Sequence, residues 1–306
     1  MKNTFHPMLA ATLMPSDAPC NDTTVMQAMK QLRYPVLASV KLDGIRALRM
    51  EMPILASRTL KWIPNESLQA RALSLPIGYD MELWSPSLDY NEIQGIVMGE
   101  KDDASKIEFH VLDDYTAEFG YEFRISAIRN TMSYKMFTQT VFEMPTLCED
   151  ADELFAFEAY CIQQHSEGIC FRIPDSPYKQ GRSTLREQYL VKHCRYTYED
   201  CEIIGFIEQM SNDNKEKRND LGYMKRSSSI VNMTPKGTLG AFLVRNLYGV
   251  EFSVGTGQGL TDSIRQHIWM HQDKYLGGQC IIKSKAHGVK NKPRSPIFWG
   301  FRDKGF

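Results

Sequence analysis

The stretch Ser39–Leu48, SVKLDGIRAL, puts a lysine between two short apolar runs and follows it at once with an acid, a glycine and an arginine. The flanking runs, Val36–Val40 and Ala47–Met50, read as strands, and Asp43-Gly44 reads as the turn between them. A lysine on a strand is ordinarily a solvated residue. Glycine, however, lets a backbone approach a ligand closely, and Lys41 with Arg46 brings two cations to the same turn. The pattern therefore poses a choice between a surface lysine and a nucleophile beside a phosphate pocket.

The strands around this turn are short and irregularly spaced. Gly78–Leu83, Ile107–Leu112, Ile169–Ile173 and Tyr189–Val191 are further strand candidates, and Asp152–Gln164 reads as a helix. Punctuation by Gly and Pro, with no regular strand–helix alternation, predicts a mixed α+β domain over residues 1–195. Beyond Arg195 the character changes. Cys201–Ile207, Ala241–Arg245, Val250–Val254, Cys280–Lys283 and Ile297–Phe301 read as five strands, with one helix at Thr261–Trp269. That composition predicts a small all-β OB-fold barrel over residues 196–306. Between its first two strands, at about 211–236, a polar stretch carries Lys215, Lys217, Arg218, Lys225 and Arg226 and reads as a basic loop.

Bulk composition narrows the function classes. At 306 residues, two domains are expected. No apolar run approaches the roughly 18 residues that cross a bilayer, and the N-terminus lacks a basic region ahead of an apolar core, so an intracellular, cytoplasmic protein without membrane contact is expected. The seven cysteines are scattered with no C-x-x-C pair, which predicts reduced, mostly buried thiols. The net charge of −1 hides an asymmetry: Lys215–Phe306 holds 16 Lys+Arg against 6 Asp+Glu, leaving 20 against 31 elsewhere. A basic C-terminal third suits a polyanion.

Other stretches supply the rest of a phosphoryl-transfer site. YDMELW sets Asp80 and Glu82 two apart, so on a strand both carboxylates share a face. Ser57-Arg58-Thr59, SEGICFR with Glu167 and Arg172, YKQGRSTLREQYLVKH with Lys179, Arg182 and Lys192, and PRSPIFWGFRDK with Arg294, Arg302 and Lys304 follow in order. An amine with a pKa of ~10.4 cannot attack phosphorus until it loses a proton. Neighbouring cations, arginines and a metal ion, would depress that pKa. Carboxylates suit a hard divalent ion, and lysines and arginines suit the charge of a transferring phosphoryl group. Structural readings stand beside these: Asp43 capping its turn, Asp80 as a hydrogen-bonding strut, Arg182 bracing a loop, Lys179 solvated, the histidines structural, and Phe298 and Trp299 as barrel core and rim.

Taken together, KLDGIR, EGICFR, YKQGRST and RSPIFWGFR resemble the covalent nucleotidyltransferase superfamily, and most closely the ATP-dependent DNA ligases of the small bacteriophage type, from about Pro7 to the C-terminus. The resemblance implies an adenylylation domain followed by an OB-fold domain. Lys41 would form a lysyl–AMP intermediate. Arg46 would contact the nucleotide or nick phosphate, Arg58 the 5′-phosphate of the nick, and Glu82 the ribose hydroxyl. Glu167 with Asp80 would serve Mg²⁺ or Mn²⁺, Lys192 would touch the α-phosphate, and Arg294 would swing over the pyrophosphate of ATP. Nicked double-stranded DNA is the implied partner and a monomer the implied state. The same superfamily includes GTP-using mRNA guanylyltransferases and RNA ligases, which remain the alternative. Three departures stand out. Cys194 replaces the second lysine of the family's K-x-K pair, with Arg195 next to it as a candidate substitute on the opposite face. Leu112 occupies the position of an adenine-stacking aromatic, and the family's terminal R-x-D-K is compressed to Arg302-Asp303-Lys304.

Overall fold

The computed structural model describes residues 5–14, 20–134, 137–164, 166–218, 224–227, 229–257, 259–289 and 292–302, with the backbone alone for 217, 218, 224, 225 and 286–289. The chain divides into two compact units, Met1–Arg195 and Tyr196–Phe306. In the first unit two five-stranded sheets dominate. One runs in the order Ala11–Thr12, Val191–Cys194, Gly168–Arg172, Val36–Lys41, Thr146–Cys148. The other runs Leu55–Ser57, Ile45–Arg49, Tyr79–Trp84, Glu108–Asp114, Thr140–Val141.

Alternation along the strands decides which face of each sheet is covered. Val36, Ala38, Ile169, Phe171 and Val191 turn one face of the first sheet toward helices Asp22–Met29 and Ala151–Gln163, meeting Val25, Met29, Leu154 and Cys161. Ala47, Met81, Leu83, Phe109 and Val111 do the same in the second sheet, against Leu68, Ala72, Ile93, Val97 and Ile128 of three helices, Glu66–Ala72, Tyr90–Met98 and Tyr121–Tyr134. The opposite face of the first sheet is covered at one end, by Tyr121 and Ile125 of the third of these helices, which pack on Leu37. The chain passes from the first sheet to the second through Leu42–Gly44. A Cβ on Gly44 would lie 2.2 Å from the Leu83 carbonyl oxygen, so only glycine lets the two backbones approach here.

A buried strut holds the sheets together. Asp113, 1 % exposed, accepts from Arg124 Nε at 2.7 Å and Nη2 at 3.0 Å, and from Arg172 Nη1. Arg172 lies over the Tyr121 ring, 3.9 Å from its centroid. Two guanidinium groups on one carboxylate satisfy a charge that would be very unfavourable alone at this depth.

The second unit is built on a five-stranded sheet in the order Glu251–Val254, Met233–Asn246, Tyr196–Asn212, Gln279–Val289, Lys292–Phe301, with helix Asp262–Met270 packed through Ile268. Strand number and helix position agree with the sequence expectation. The closed barrel does not form: among the described residues the only β-type link across the sheet's two edges is an isolated parallel bridge, Gly257 to Phe298. Strands are also far longer than expected. Tyr196–Asn212 extends to 17 residues, bent by irregularities near Gly205 and Glu208. The basic loop is correspondingly not a loop. Its ends continue the two long strands, and its middle is a two-stranded arm, Glu216–Arg218 with Met224–Arg226. Asn214 ties the arm's base to the carbonyls of Ser227 and Ser229. Phe298 is core at 3 % exposure, while Trp299 meets Tyr198 edge-on and Lys283 at 4.6 Å.

Candidate active site

Strand register assembles the nucleophile's surroundings. Lys41 pairs with Gly168, which pairs with Cys194; one row further, Ser39 pairs with Cys170, Cys170 with Lys192, and Lys192 with Thr12. Directly opposed residues in a sheet point to the same side. Lys41, Lys192, Cys170 and Cys194 therefore share the face of the first sheet opposite helices Asp22–Met29 and Ala151–Gln163. Gly168 leaves the middle of the row open. A Cβ there would lie 2.1 Å from the His193 carbonyl oxygen, and the residue sits at φ 154°. Gly168→Ala should part the strand pair beneath Lys41 and lower stability by about 2 kcal/mol or more; a melting temperature equal to that of the parent protein would show that the strands yield freely.

The second sheet contributes the opposing groups. Arg46 pairs with Glu82 and Leu48 with Asp80, so Asp80 and Glu82 share a face as their spacing predicts. Their environments differ sharply. Asp80 accepts Arg46 Nε at 2.8 Å on Oδ1, and Arg46 Nη2 with the Tyr178 hydroxyl at 2.7 Å on Oδ2. Both oxygens are engaged, which argues against the metal role expected for Asp80 and for the strut. Glu82 accepts no hydrogen bond from any described residue. Burial pushes its carboxyl up to about 7, against the pull of Lys41 and Arg46, with Asp80 and Glu167 adding to the rise.

Lys41 Nζ donates to Glu167 Oε2, and Cys194 Sγ lies 3.9 Å from Glu167 Oε1. Burial alone would lower the ammonium's pKa, but the Glu167 carboxylate overrides it and holds Lys41 above the ordinary lysine range. The expected depression does not come from the chain's own groups, because the nearest partner of Lys41 is an anion. Arg195, the candidate substitute for the missing lysine, faces away. It is paired with Glu158 at 2.6 Å and Asp22 at 2.7 Å, beside the buried His193. Lys192 Nζ makes no ion pair among the described residues.

The remaining expected residues are more peripheral. Arg58 stands exposed one residue past the Leu55–Ser57 strand, at the level of Arg46 by extension of the ladder. Arg294 lies in the second unit opposite Lys285, half-buried, with burial lowering its pKa. Lys304 and Asp303 fall outside the described residues, as do the side chains of Lys217, Arg218 and Lys225. Arg182 braces the N-terminal segment by donating to the Ala10 carbonyl at 2.7 Å, and Lys179 pairs with Glu187. Tyr178 was not foreseen; a single aromatic in a polar stretch has no periodicity to mark it.

A family model for the DNA ligase OB-like domain matches residues 232–302. The structure of a Chlorella virus DNA ligase–adenylate is 25 % identical, covering 98 % of this chain and 99 % of that one with a TM-score of 0.54. The chain has the fold of a DNA ligase. Lig E DNA ligases share that fold at 18 % identity and a TM-score of 0.71, over 98 % of this chain and 100 % of theirs. No curated protein sequence matches. In the ligase fold the first unit is the nucleotidyltransferase part, and Lys41, Arg46, Glu82, Glu167 and Lys192 all belong to it.

Proposed function

We propose that the chain is an ATP-dependent DNA ligase that seals nicks in duplex DNA through a lysyl–AMP intermediate, AMP transfer to the 5′-phosphate and attack by the 3′-hydroxyl. One observation carries the reading: Lys41 shares a sheet face with Lys192, is paired with Glu167 and, with Arg46, acts on the buried Glu82, in a chain whose second unit matches a DNA ligase OB-like domain. The likeness favours a ligase over the guanylyltransferase alternative.

Lys41 Nζ must shed a proton before it attacks the α-phosphate, and Glu167 Oε2 is the acceptor already in contact. Lys192, on the same sheet face, would neutralise charge on that phosphate. Glu82 is an unengaged carboxylate suited to ribose hydroxyls. Among the described residues no group of three or more His, Cys, Asp or Glu could hold a metal ion. A hard divalent ion that arrives with nucleotide phosphates would take one protein carboxylate, Glu167, whose hard oxygens suit it. Bound so, Mg²⁺ or Mn²⁺ would supply positive charge beside the reacting phosphate. Arg58 would hold the nick 5′-phosphate and Arg294 the pyrophosphate. The basic second unit would grip duplex backbone, so binding should weaken steeply with salt. We assign a monomer acting in the cytoplasm; no helix among the described residues is long and apolar enough to cross a membrane.

The test is α-labelled ATP or GTP with Mg²⁺, followed by denaturation and a chase with nicked duplex. Covalent label from ATP alone, discharged with sealing, is expected. Label from GTP would move the reading to RNA capping, and no label from either would remove the enzyme reading.

A further inference from the structure

Arg46 is held on three sides. Its Nε and Nη2 bond both oxygens of Asp80, its Nη1 donates to the Met8 carbonyl at 2.6 Å, and its Nη2 reaches the Tyr178 hydroxyl at 3.4 Å. The Tyr178 hydroxyl in turn donates to Asp80 Oδ2 at 2.7 Å and accepts from the Met8 amide at 3.3 Å. A guanidinium has five N–H donors in a rigid plane. Four are engaged here, which leaves one Nη1 N–H to meet a ligand.

The direction of that remaining N–H is decided by groups distant in sequence. Met8 belongs to a short strand, Met8–Leu9, paired in parallel with Gly181–Arg182. His6 donates its amide to Gln180 Oε1 at 3.1 Å, and the Phe5 ring packs 4.6 Å from Tyr115 and 6.4 Å from Tyr178. Met8 is fully buried and Asp80 is 2 % exposed, so the anchoring groups have little room to move. Within the tetrad the Tyr178 hydroxyl touches all three other members, so it ties the Asp80 carboxylate, the Met8 backbone and the Arg46 guanidinium to one another.

We infer that Tyr178 is a positioning residue that aims the free N–H of Arg46 at the reacting phosphate, with the N-terminal segment as its brace. The inference rests on the ligase reading. Losing the hydroxyl removes a donor from Asp80 Oδ2 and an acceptor from Met8 and Arg46, and the guanidinium can then rotate about its Asp80 contact. Misaimed by a fraction of an ångström, a contact formed with the transferring phosphoryl group loses most of its effect.

The experiment compares parent protein, Tyr178→Phe, Arg46→Lys and the double variant for covalent AMP formation from ATP, below all four melting temperatures. Tyr178→Phe should slow the limiting rate roughly ten- to hundredfold while leaving the ATP concentration for half-maximal rate within about threefold, since uniform binding is not what it removes. In Arg46→Lys the tyrosine has no fork to aim, so the double variant should be no slower than Arg46→Lys alone. Losses that multiply in the double variant, or an unchanged Tyr178→Phe rate, would overturn the inference and leave the ligase reading standing. A parent protein that takes up no AMP would overturn both.

Discussion

Lys41→Arg protein, incubated with ATP and Mg²⁺, should carry no covalent AMP and should seal unmodified nicks at least on the order of 10⁴-fold more slowly than the parent, the scale seen when a covalent nucleophile is removed. Arginine separates chemistry from electrostatics better than alanine does. It keeps a cation against the Glu167 carboxylate, whose side chain is only 8 % exposed, so the fold should melt close to the parent temperature. Its guanidinium does not deprotonate in proteins and offers no lone pair to phosphorus. Lys41→Ala should be equally inactive but less stable, because it leaves Glu167 without its counter-ion. Both variants should still join a nick that already carries AMP on its 5′-phosphate, since that last step needs no lysine attack. Covalent AMP on the arginine variant would move the nucleophile elsewhere, and failure on the pre-adenylylated nick would show that Lys41 serves a later step as well.

How much of this was legible in the sequence depends on the range of each interaction. Asp80 and Glu82 could be placed on one face from a spacing of two, and the structure puts them there. The same parity, applied to Lys192, places Cys194 on the active face and Arg195 away from it. The Lys41–Glu167 pair could not be read, because its members lie 126 residues apart and meet only through the register of two strands. Tyr178 escaped for the same reason: its partner Met8 is 170 residues away. Helices of the first unit were missed where local propensity is poor. Asp22–Met29 contains two threonines and a valine, and Tyr90–Met98 has a glycine inside it; capping by Asn21 and Asp89 and apolar packing override that weakness. The polar arm of the second unit read as a loop because Glu216-Lys217-Arg218 and Lys225-Arg226 offer no apolar alternation in the sequence to detect.

Glu82 should make stability and function oppose each other across neutral pH. Burial raises its carboxyl from 4.5 to about 7. Between those values the folded chain keeps a proton that the unfolded chain has lost, so stability falls as pH rises through the window. Below about 4.5 both states are protonated and the destabilisation is absent; above about 7 both are ionised and it is complete. The gap of about 2.5, at ~1.4 kcal/mol for each, amounts to roughly 3 kcal/mol. Glu82→Gln has nearly the same shape and no charge to desolvate. It should therefore be more stable than the parent at pH 8, by up to that amount, and the difference between the two proteins should shrink toward pH 5. Its use of ATP should suffer in the opposite sense, since an amide accepts a ribose hydroxyl more weakly than a carboxylate, a loss of about tenfold or more. Paired melting curves at pH 5 and pH 8 decide the matter. A glutamine variant less stable than the parent at pH 8 would mean that Lys41 and Arg46 stabilise the ionised Glu82 more than burial penalises it, and that the site is organised around this charge before any nucleotide arrives.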